Sequence, residues 1–230
     1  MKTVVIIPAG GAGRRMGGDI PKQYLSLAGV PILVHTLRKF QQSPFVDEIF
    51  LVVPEGDVAE VRRDMVERYD LSRVSLVISG GRERQDSVRN ALAHVRGGHE
   101  IILVHDGVRP FVTGGLIERA IAGAKAFGAV APGVSVRDTV KKVDAAGWVV
   151  KTVQREGLWL VQTPQAFRRG VILAAYERAA KDGYYSTDDA SLVEKTGIPV
   201  RMIPGDAGNI KITAPEDLER AERIVSGRKA

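Results

Sequence analysis

Short runs of β-branched and other apolar residues alternate along the chain with longer stretches in which apolar residues recur every third or fourth position. That alternation is the pattern of βα units on a mostly parallel sheet. The runs predict strands at Thr3–Pro8, Glu48–Pro54, Val74–Ser79, Ile101–His105, Gly128–Pro132 and Leu158–Gln162. The first four are almost continuously apolar, as strands covered by helices on both faces must be. Helical periodicity fits Pro31–Gln42, Asp57–Tyr69, Arg84–Val95, Gly115–Phe127, Arg169–Lys181, Asp188–Lys195 and Pro215–Ser226. Thr187 and Thr213 stand where helix N-caps belong, each followed by acidic residues suited to the positive end of the helix.

One segment breaks this rhythm. From Ser135 to Gly157, polar and β-branched residues alternate around Asp144-Ala-Ala-Gly147, which reads as a β-hairpin leaving the main sheet. A lone two-stranded hairpin is marginal in water and needs a surface to lie on. The pattern fits a hairpin folded on its own subunit and an arm packed on a second subunit equally well. No repeat, low-complexity tract or linker divides the chain, so residues 1–230 are expected to form a single domain.

Composition narrows the chemistry. The chain has no cysteine, which excludes disulfides, thiolate metal sites and a cysteine nucleophile. Its four histidines, at 35, 94, 99 and 105, include no i, i+4 pair, which argues against a histidine-built zinc site. The net charge is +6, yet acidic and basic residues interleave and aromatics are only 6%, so a nucleic-acid partner is not expected. Arginine supplies 22 of the 33 basic residues, and its forked donors suit a small phosphorylated ligand. No apolar run approaches the roughly 18 residues of a spanning helix. The opening MKTVVIIPAGG is broken by Pro8 and Gly10 before a secretory leader develops, so a cytoplasmic, membrane-free protein is expected.

The most informative stretch follows the first strand: Pro8-Ala-Gly-Gly-Ala-Gly-Arg-Arg-Met-Gly-Gly18. Glycines and Ala9 leave backbone amides open to an anion at the carboxyl end of a strand, where open α/β sheets bind ligands. The stretch is not a Walker A loop, because no Gly-Lys-Ser/Thr follows, and Met16 breaks the dinucleotide fingerprint. Arg14, Arg15 and then Lys22 bring cations to the same loop, as a transferring phosphoryl group requires. At the end of the fourth strand, Asp106 and Arg109 reach the same sheet edge, and a carboxylate there suits a magnesium ion. His105 continues the apolar run of its strand and reads as a packed histidine. Residues 80–87, 162–165 and 209–213 are polar where βα loops should lie.

Eight segments in order then carry a resemblance: GAGRRM at 11–16, PKQY at 21–24, GG-x-x-R-x-x-SV at 80–88, HD-x-x-RP at 105–110, RDTVK at 137–141, QTPQ at 162–165, TDDAS at 187–191 and NIKIT at 209–213. Together they resemble the 2-C-methyl-D-erythritol 4-phosphate cytidylyltransferase family. The resemblance implies a Rossmann-like nucleotidyltransferase fold, and a homodimer in which residues 135–157 form a dimerisation arm. It implies transfer of a cytidylyl group from CTP to methylerythritol 4-phosphate in the non-mevalonate isoprenoid pathway, with release of pyrophosphate and with Mg2+. Carried over by position, Arg15 and Lys22 are the catalytic residues. CTP would lie against Pro8, Ala9, Gly10, Gly11, Gly13, Gly81, Ser87, Asp106 and Gly107. The sugar phosphate would be held by Arg109, Thr163, Thr187 and Lys211, with Thr139 and Arg155 reaching in on the partner's arm. Asp106 would serve Mg2+ indirectly, the ion being held mainly by the CTP phosphates.

The nearest alternative is a ribitol-5-phosphate cytidylyltransferase, which shares the glycine loop and PKQ. The paired arginines and TDDAS favour the methylerythritol enzymes. Four positions depart from the family pattern: Arg82 stands where some relatives are acidic, Gly107-Val108 replaces the common Ala-Ala, and Gly208 fills a place that is acidic in some relatives.

Overall fold

The computed structural model describes residues 2–11 and 21–227. Along the chain run β1 (Lys2–Pro8), β2 (Ser26–Leu27), β3 (Val30–Pro31), α1 (Ile32–Gln41), β4 (Glu48–Val53), α2 (Val58–Val61), β5 (Val74–Ser79), α3 (Arg84–Leu92) and β6 (His99–Val104). They are followed by α4 (Gly114–Phe127), β7 (Ala129–Ser135), β8 (Val140–Val143), β9 (Val149–Val153), β10 (Trp159–Val161), β11 (Gln165–Arg168), α5 (Arg169–Asp182), α6 (Asp189–Glu194), β12 (Arg201–Pro204) and α7 (Pro215–Val225).

The central sheet has the order β10-β7-β11-β6-β1-β4-β5, with β12 also paired to β7. Strands β6, β1, β4 and β5 are mutually parallel, whereas β11 runs antiparallel to both of its neighbours. The α/β architecture with helices on both faces therefore stands as expected. Successive side chains of β1 explain it. Val4 and Ile6 enter one apolar cluster with Val88 of α3 and Ile172 of α5. Val5 and Ile7 enter another with Leu37 of α1 and Ile117 of α4. A strand fully covered on both faces has no polar face to alternate with, hence its unbroken apolar run. Phe40 of α1 is wholly buried and meets the His105 ring edge-on at 4.8 Å between centroids; truncating it to Ala would cost about 3–5 kcal/mol.

Several expectations need correction. Gln165–Arg168 and Arg201–Pro204 are strands with no counterpart in the pattern reading. The helix expected over 57–69 is α-helical only from Val58 to Val61 and continues as π-helix over Arg62–Glu67. The cap of α6 is Asp188 rather than Thr187, because the Asp188 carboxylate accepts from the Ser191 N–H at 3.1 Å. The cap position of α7 is Ala214; Thr213, one residue earlier, gives its N–H and hydroxyl to Asp217, which also accepts from the Ala214 N–H. In α6 the next residue's carboxylate takes the cap itself, and in α7 the Asp217 carboxylate inside the first turn takes the N–H groups of Thr213 and Ala214, so neither threonine caps its helix.

Strands β8 and β9 form a separate two-stranded antiparallel sheet, as the hairpin reading expected. Its turn is closed by Asp144, whose carboxylate accepts from the N–H groups of Ala146 and Trp148, and Gly147 takes the positive φ of 87° that the turn demands.

Candidate active site

The chain leaves β1, passes outward through β4 and β5, and then crosses back to place β6 on the other side of β1. The carboxyl ends of β1 and β6 thus flank the point where the winding reverses, which is where open α/β sheets leave a crevice. Pro8, Ala9, Gly10 and Gly11 line a cleft of about 320 Å³ there, together with Lys22, Gln23, Gly81, Ser87, Asp106 and Gly107. The backbone is drawn tight. Ala9 donates its N–H to Val52 O at 2.7 Å, and its own carbonyl accepts from the buried Gln23 side chain at 2.7 Å. A Cβ added to Gly107 would stand 3.1 Å from the Ala9 Cβ and 3.4 Å from Pro8 O.

The loop after β5 forms the facing wall. Ser87 accepts from the Gly81 N–H at 3.1 Å and donates to Glu83 O at 3.2 Å, which folds the loop onto the first turn of α3. At Gly81 a Cβ would fall 2.3 Å from that of Asp86, so only glycine permits this fold. The Ser87 hydroxyl is therefore engaged in shaping the loop.

Asp106 is the electrostatic centre. Its carboxylate lies 3.4 Å from Arg84 Nε, 3.1 Å from Arg109 Nε and 3.1 Å from Lys211 Nζ. Burial opposes its ionisation, but the three cations outweigh burial and hold the carboxyl well below the usual carboxylate range. His105 beside it is fully buried, and burial pushes its imidazole down to about 3, so it is neutral. Its Nε2 lies 3.2 Å from Arg109 O and its Nδ1 3.1 Å from the Thr163 hydroxyl, assigning the N–H to Nε2 and an accepting role to Nδ1. The reading of His105 as a packed histidine agrees.

A second cleft of about 450 Å³ opens on the other side of Asp106, among Arg109, Gln162, Thr163, Gln165, Thr187 and Asp188. Arg84, Asp106 and Lys211 line both clefts and form the wall between them. Gln165 donates to Asp188 at 2.7 Å and accepts from the Ala190 N–H at 2.9 Å, locking the loop that carries Thr187 to β11. Asn209 donates to Thr163 O at 2.8 Å while its carbonyl accepts from Arg109 at 2.9 Å, which seats Lys211 in the wall.

The residues expected from the sequence are thus brought together with exceptions. Gly13 and Arg15 lie outside the described residues. Thr139 and Arg155 sit exposed on or beside the hairpin and line neither cleft; the Arg155 guanidinium donates to Arg137 O. One residue of the wall went unassigned, Arg84, which the GG-x-x-R-x-x-SV segment contains, and with it the buried partner Asp189 in TDDAS, 2.8 Å away. Among the described residues no group of three or more His, Asp or Glu side chains could hold a metal.

The family model described as IspD, 2-C-methyl-D-erythritol 4-phosphate cytidylyltransferase, matches residues 3–227. The chain belongs to this family. The enzyme of that name from Syntrophus aciditrophicus (strain SB) is 52% identical over 224 residues, which is 97% of this chain and 96% of the relative. The crystal structure of the 2-C-methyl-D-erythritol 4-phosphate cytidylyltransferase from Thermus thermophilus superposes with a TM-score of 0.83 at 34% identity, covering 98% of this chain and all of that one. The 4-diphosphocytidyl-2C-methyl-D-erythritol synthase from Anaerococcus prevotii DSM 20548 gives a TM-score of 0.85 at 31% identity, over 98% and 96% of the two chains. The chain is accordingly a nucleotidyltransferase, and its Rossmann-like fold is that of the family. No helix among the described residues is long and apolar enough to cross a membrane.

Proposed function

We propose that this enzyme transfers a cytidylyl group from CTP to 2-C-methyl-D-erythritol 4-phosphate, giving 4-diphosphocytidyl-2-C-methyl-D-erythritol and pyrophosphate in the non-mevalonate isoprenoid pathway. The observation that carries this reading is the pair of adjoining clefts divided by Arg84, Asp106 and Lys211. One has the open backbone that a nucleotide needs, and the other the cations and hydroxyls that a sugar phosphate needs.

A phosphate monoester oxygen is anionic at neutral pH, so it attacks the α-phosphorus of CTP without a general base. The new P–O bond forms as the bond to the β-phosphate oxygen breaks, and the electron pair leaves on pyrophosphate. The neutral His105, with both ring nitrogens occupied, is not required to accept a proton. What the protein must supply is in-line placement and relief of repulsion between two polyanions. Lys22 and Arg15 meet the developing charge on the α-phosphate and the leaving group. Pro8, Ala9, Gly10, Gly11, Gly13, Gly81, Ser87 and Gly107 enclose the nucleotide. Arg109, Thr163, Thr187 and Lys211 take the sugar phosphate, Thr163 acting through its place in the wall because its hydroxyl already accepts from the Asp106 N–H.

The donor set fits Mg2+ only as an ion held mainly by CTP. Asp106 is one carboxylate among three cations, which suits an outer-sphere contact to metal-bound water. Mg2+ held in this way would neutralise phosphate charge.

The arm supports a homodimer. Trp148 is 75% exposed, and Val149 and Val150 are each more than half exposed. The edge strand β10 exposes further apolar residues, Leu160 and Val161. A second copy laid on it would cover the patch and bring Thr139 and Arg155 to the partner's acceptor cleft.

The test is magnesium-dependent pyrophosphate release with CTP and, in parallel, methylerythritol 4-phosphate or ribitol 5-phosphate. Turnover with the first acceptor is expected. Faster turnover with ribitol 5-phosphate would keep the nucleotide cleft and replace the acceptor.

A further inference from the structure

Asp189 is wholly buried at the start of α6, where an ionised carboxylate is costly unless it is fully paired. Its two partners come from other elements, α3 and α5. Oδ2 takes the Arg84 Nη2 at 2.8 Å, and Oδ1 takes the Tyr176 hydroxyl of α5 at 2.5 Å. Burial, chiefly, raises the Tyr176 phenol well above its ordinary value, so it stays protonated and serves Asp189 as a donor. Arg84 in turn reaches Asp106 through Nε at 3.4 Å. Its guanidinium is thus held between two carboxylates, one deep in the core and one in the wall. Among the described residues its Nη1 has no hydrogen-bond partner, and the side chain remains 29% exposed and lines both clefts.

A cation in that place does something the pairing alone does not explain. Replacing a buried ion pair with apolar packing is often neutral or stabilising, so stability accounts poorly for a wholly buried carboxylate paired to a cation that lines both clefts. Without Asp189 the guanidinium would have only Asp106 to bind and would turn onto it. Held by Asp189, it keeps a free edge at the boundary where the nucleotide and the acceptor must meet.

We propose that Arg84 is a further substrate-contacting cation, bridging the two phosphates at the wall between the clefts, and that Asp189 and Tyr176 are the positioning pair that holds its guanidinium there. This rests on the two-cleft reading above. Arg84 draws together the loop after β5 on the nucleotide side and the 187–191 loop on the acceptor side. Gln85 reinforces the link, donating to Tyr184 O and accepting from the Ser186 N–H.

The experiment is a kinetic double-mutant cycle on the full-length enzyme with Arg84→Ala, Asp189→Asn and the double variant, together with Tyr176→Phe, which leaves the ion pair in place. KM for CTP, KM for the acceptor and kcat are measured for each. Asp189→Asn is expected to lower kcat at least tenfold and to raise both KM values, with Tyr176→Phe shifting the same constants in the same direction by a smaller factor. If Asp189 acts through Arg84, the double variant is no slower than Arg84→Ala alone, within about twofold. A purely structural role would instead reduce the active fraction, leave both KM values at the native level and multiply with Arg84→Ala; that result overturns the proposal. So do native constants in both Asp189→Asn and Tyr176→Phe. Native enzyme that shows no CTP-dependent turnover would refute the functional reading instead. The same cycle would then be read as calorimetric affinity for CTP, where non-additivity still upholds the Arg84 pairing and additivity removes it.

Discussion

Lys211 Nζ lies 3.1 Å from Asp106 Oδ2, although more than a hundred residues separate them. Asp106 keeps Arg84 and Arg109 when Lys211 is removed, and the Lys211 side chain is itself 39% exposed, so the ion pair adds little to stability. Its contribution should appear in ligand binding. A charge-assisted hydrogen bond to a phosphate contributes about 1.5–3 kcal/mol, so Lys211→Ala should raise the acceptor KM by roughly one to two orders of magnitude. Steady-state kinetics with the acceptor varied, beside an unchanged thermal midpoint, would establish this; an unaltered KM would remove Lys211 from the acceptor site.

Gly107→Ala probes how closely the two central strand ends approach. The added methyl meets the Ala9 Cβ at 3.1 Å, Leu33 Cδ1 at 3.2 Å and Pro8 O at 3.4 Å. Leu33 can turn, but the other two belong to or stand on the backbone that frames the cleft. Overpacking of this order costs about 1 kcal/mol, and a chain of this size should lose roughly 2–4 °C in Tm for it. Differential scanning fluorimetry decides the point, and a Tm at or above the native value would mean the strand ends separate more freely than their packing implies.

His105 makes stability depend on pH. Its folded pKa of about 3 lies below the ordinary imidazole value of about 6.5. Between those values the unfolded chain binds a proton that the folded protein refuses, so stability falls as pH drops through this window, by up to about 1.4 kcal/mol per pH unit. Asp106, held ionised below the usual carboxylate range, adds to acid lability only below about pH 4. The urea midpoint of the native protein should therefore decline from pH 7 to pH 5, and that of His105→Gln should decline less steeply. Parallel slopes would show that His105 takes up its proton in the folded state.

If Thr139 and Arg155 complete the partner's site, two inactive dimers can rescue one another. Lys22→Ala disables the leaving-group side and Arg155→Ala the arm. In a mixed dimer one site carries both lesions and the other carries none, so activity approaching one native site per heterodimer should return after subunit exchange. No recovery, with exchange verified by mass, would assign the arm to its own subunit.

The parts of this fold that the sequence made legible are those whose stability is local or one-dimensional. β1, β4 and β6 announce themselves because both faces of each are buried, β5 because its apolar residues pack on both core clusters, and the Asp144–Gly147 turn because its backbone demands particular residues. β11 is different. Only Ala166 and Phe167 are apolar in Gln165–Arg168, and the segment becomes a strand because β6 and β7 offer it two open edges. The site divides in the same way. Small residues after β1 and the acid at 106 can be read directly, since their chemistry is their own. Arg84 and Asp189 acquire meaning from each other across a sequence separation of 105. Nothing in the immediate neighbourhood of either residue states that pairing.

The antiparallel strand β11 also fixes an order of assembly. The half of the sheet beneath the nucleotide cleft, β6-β1-β4-β5, is complete once residue 104 has been made. β7 follows at Ala129–Ser135 but does not pair with β6, and it waits for β10, β11 and β12 as partners. Until Arg168 leaves the ribosome, β6 presents an open edge and the later third of the sheet has nothing joining it to the earlier. A nascent chain halted before that residue therefore carries a finished nucleotide half and an unprotected strand, the condition in which a chain is most exposed to pairing with its neighbours.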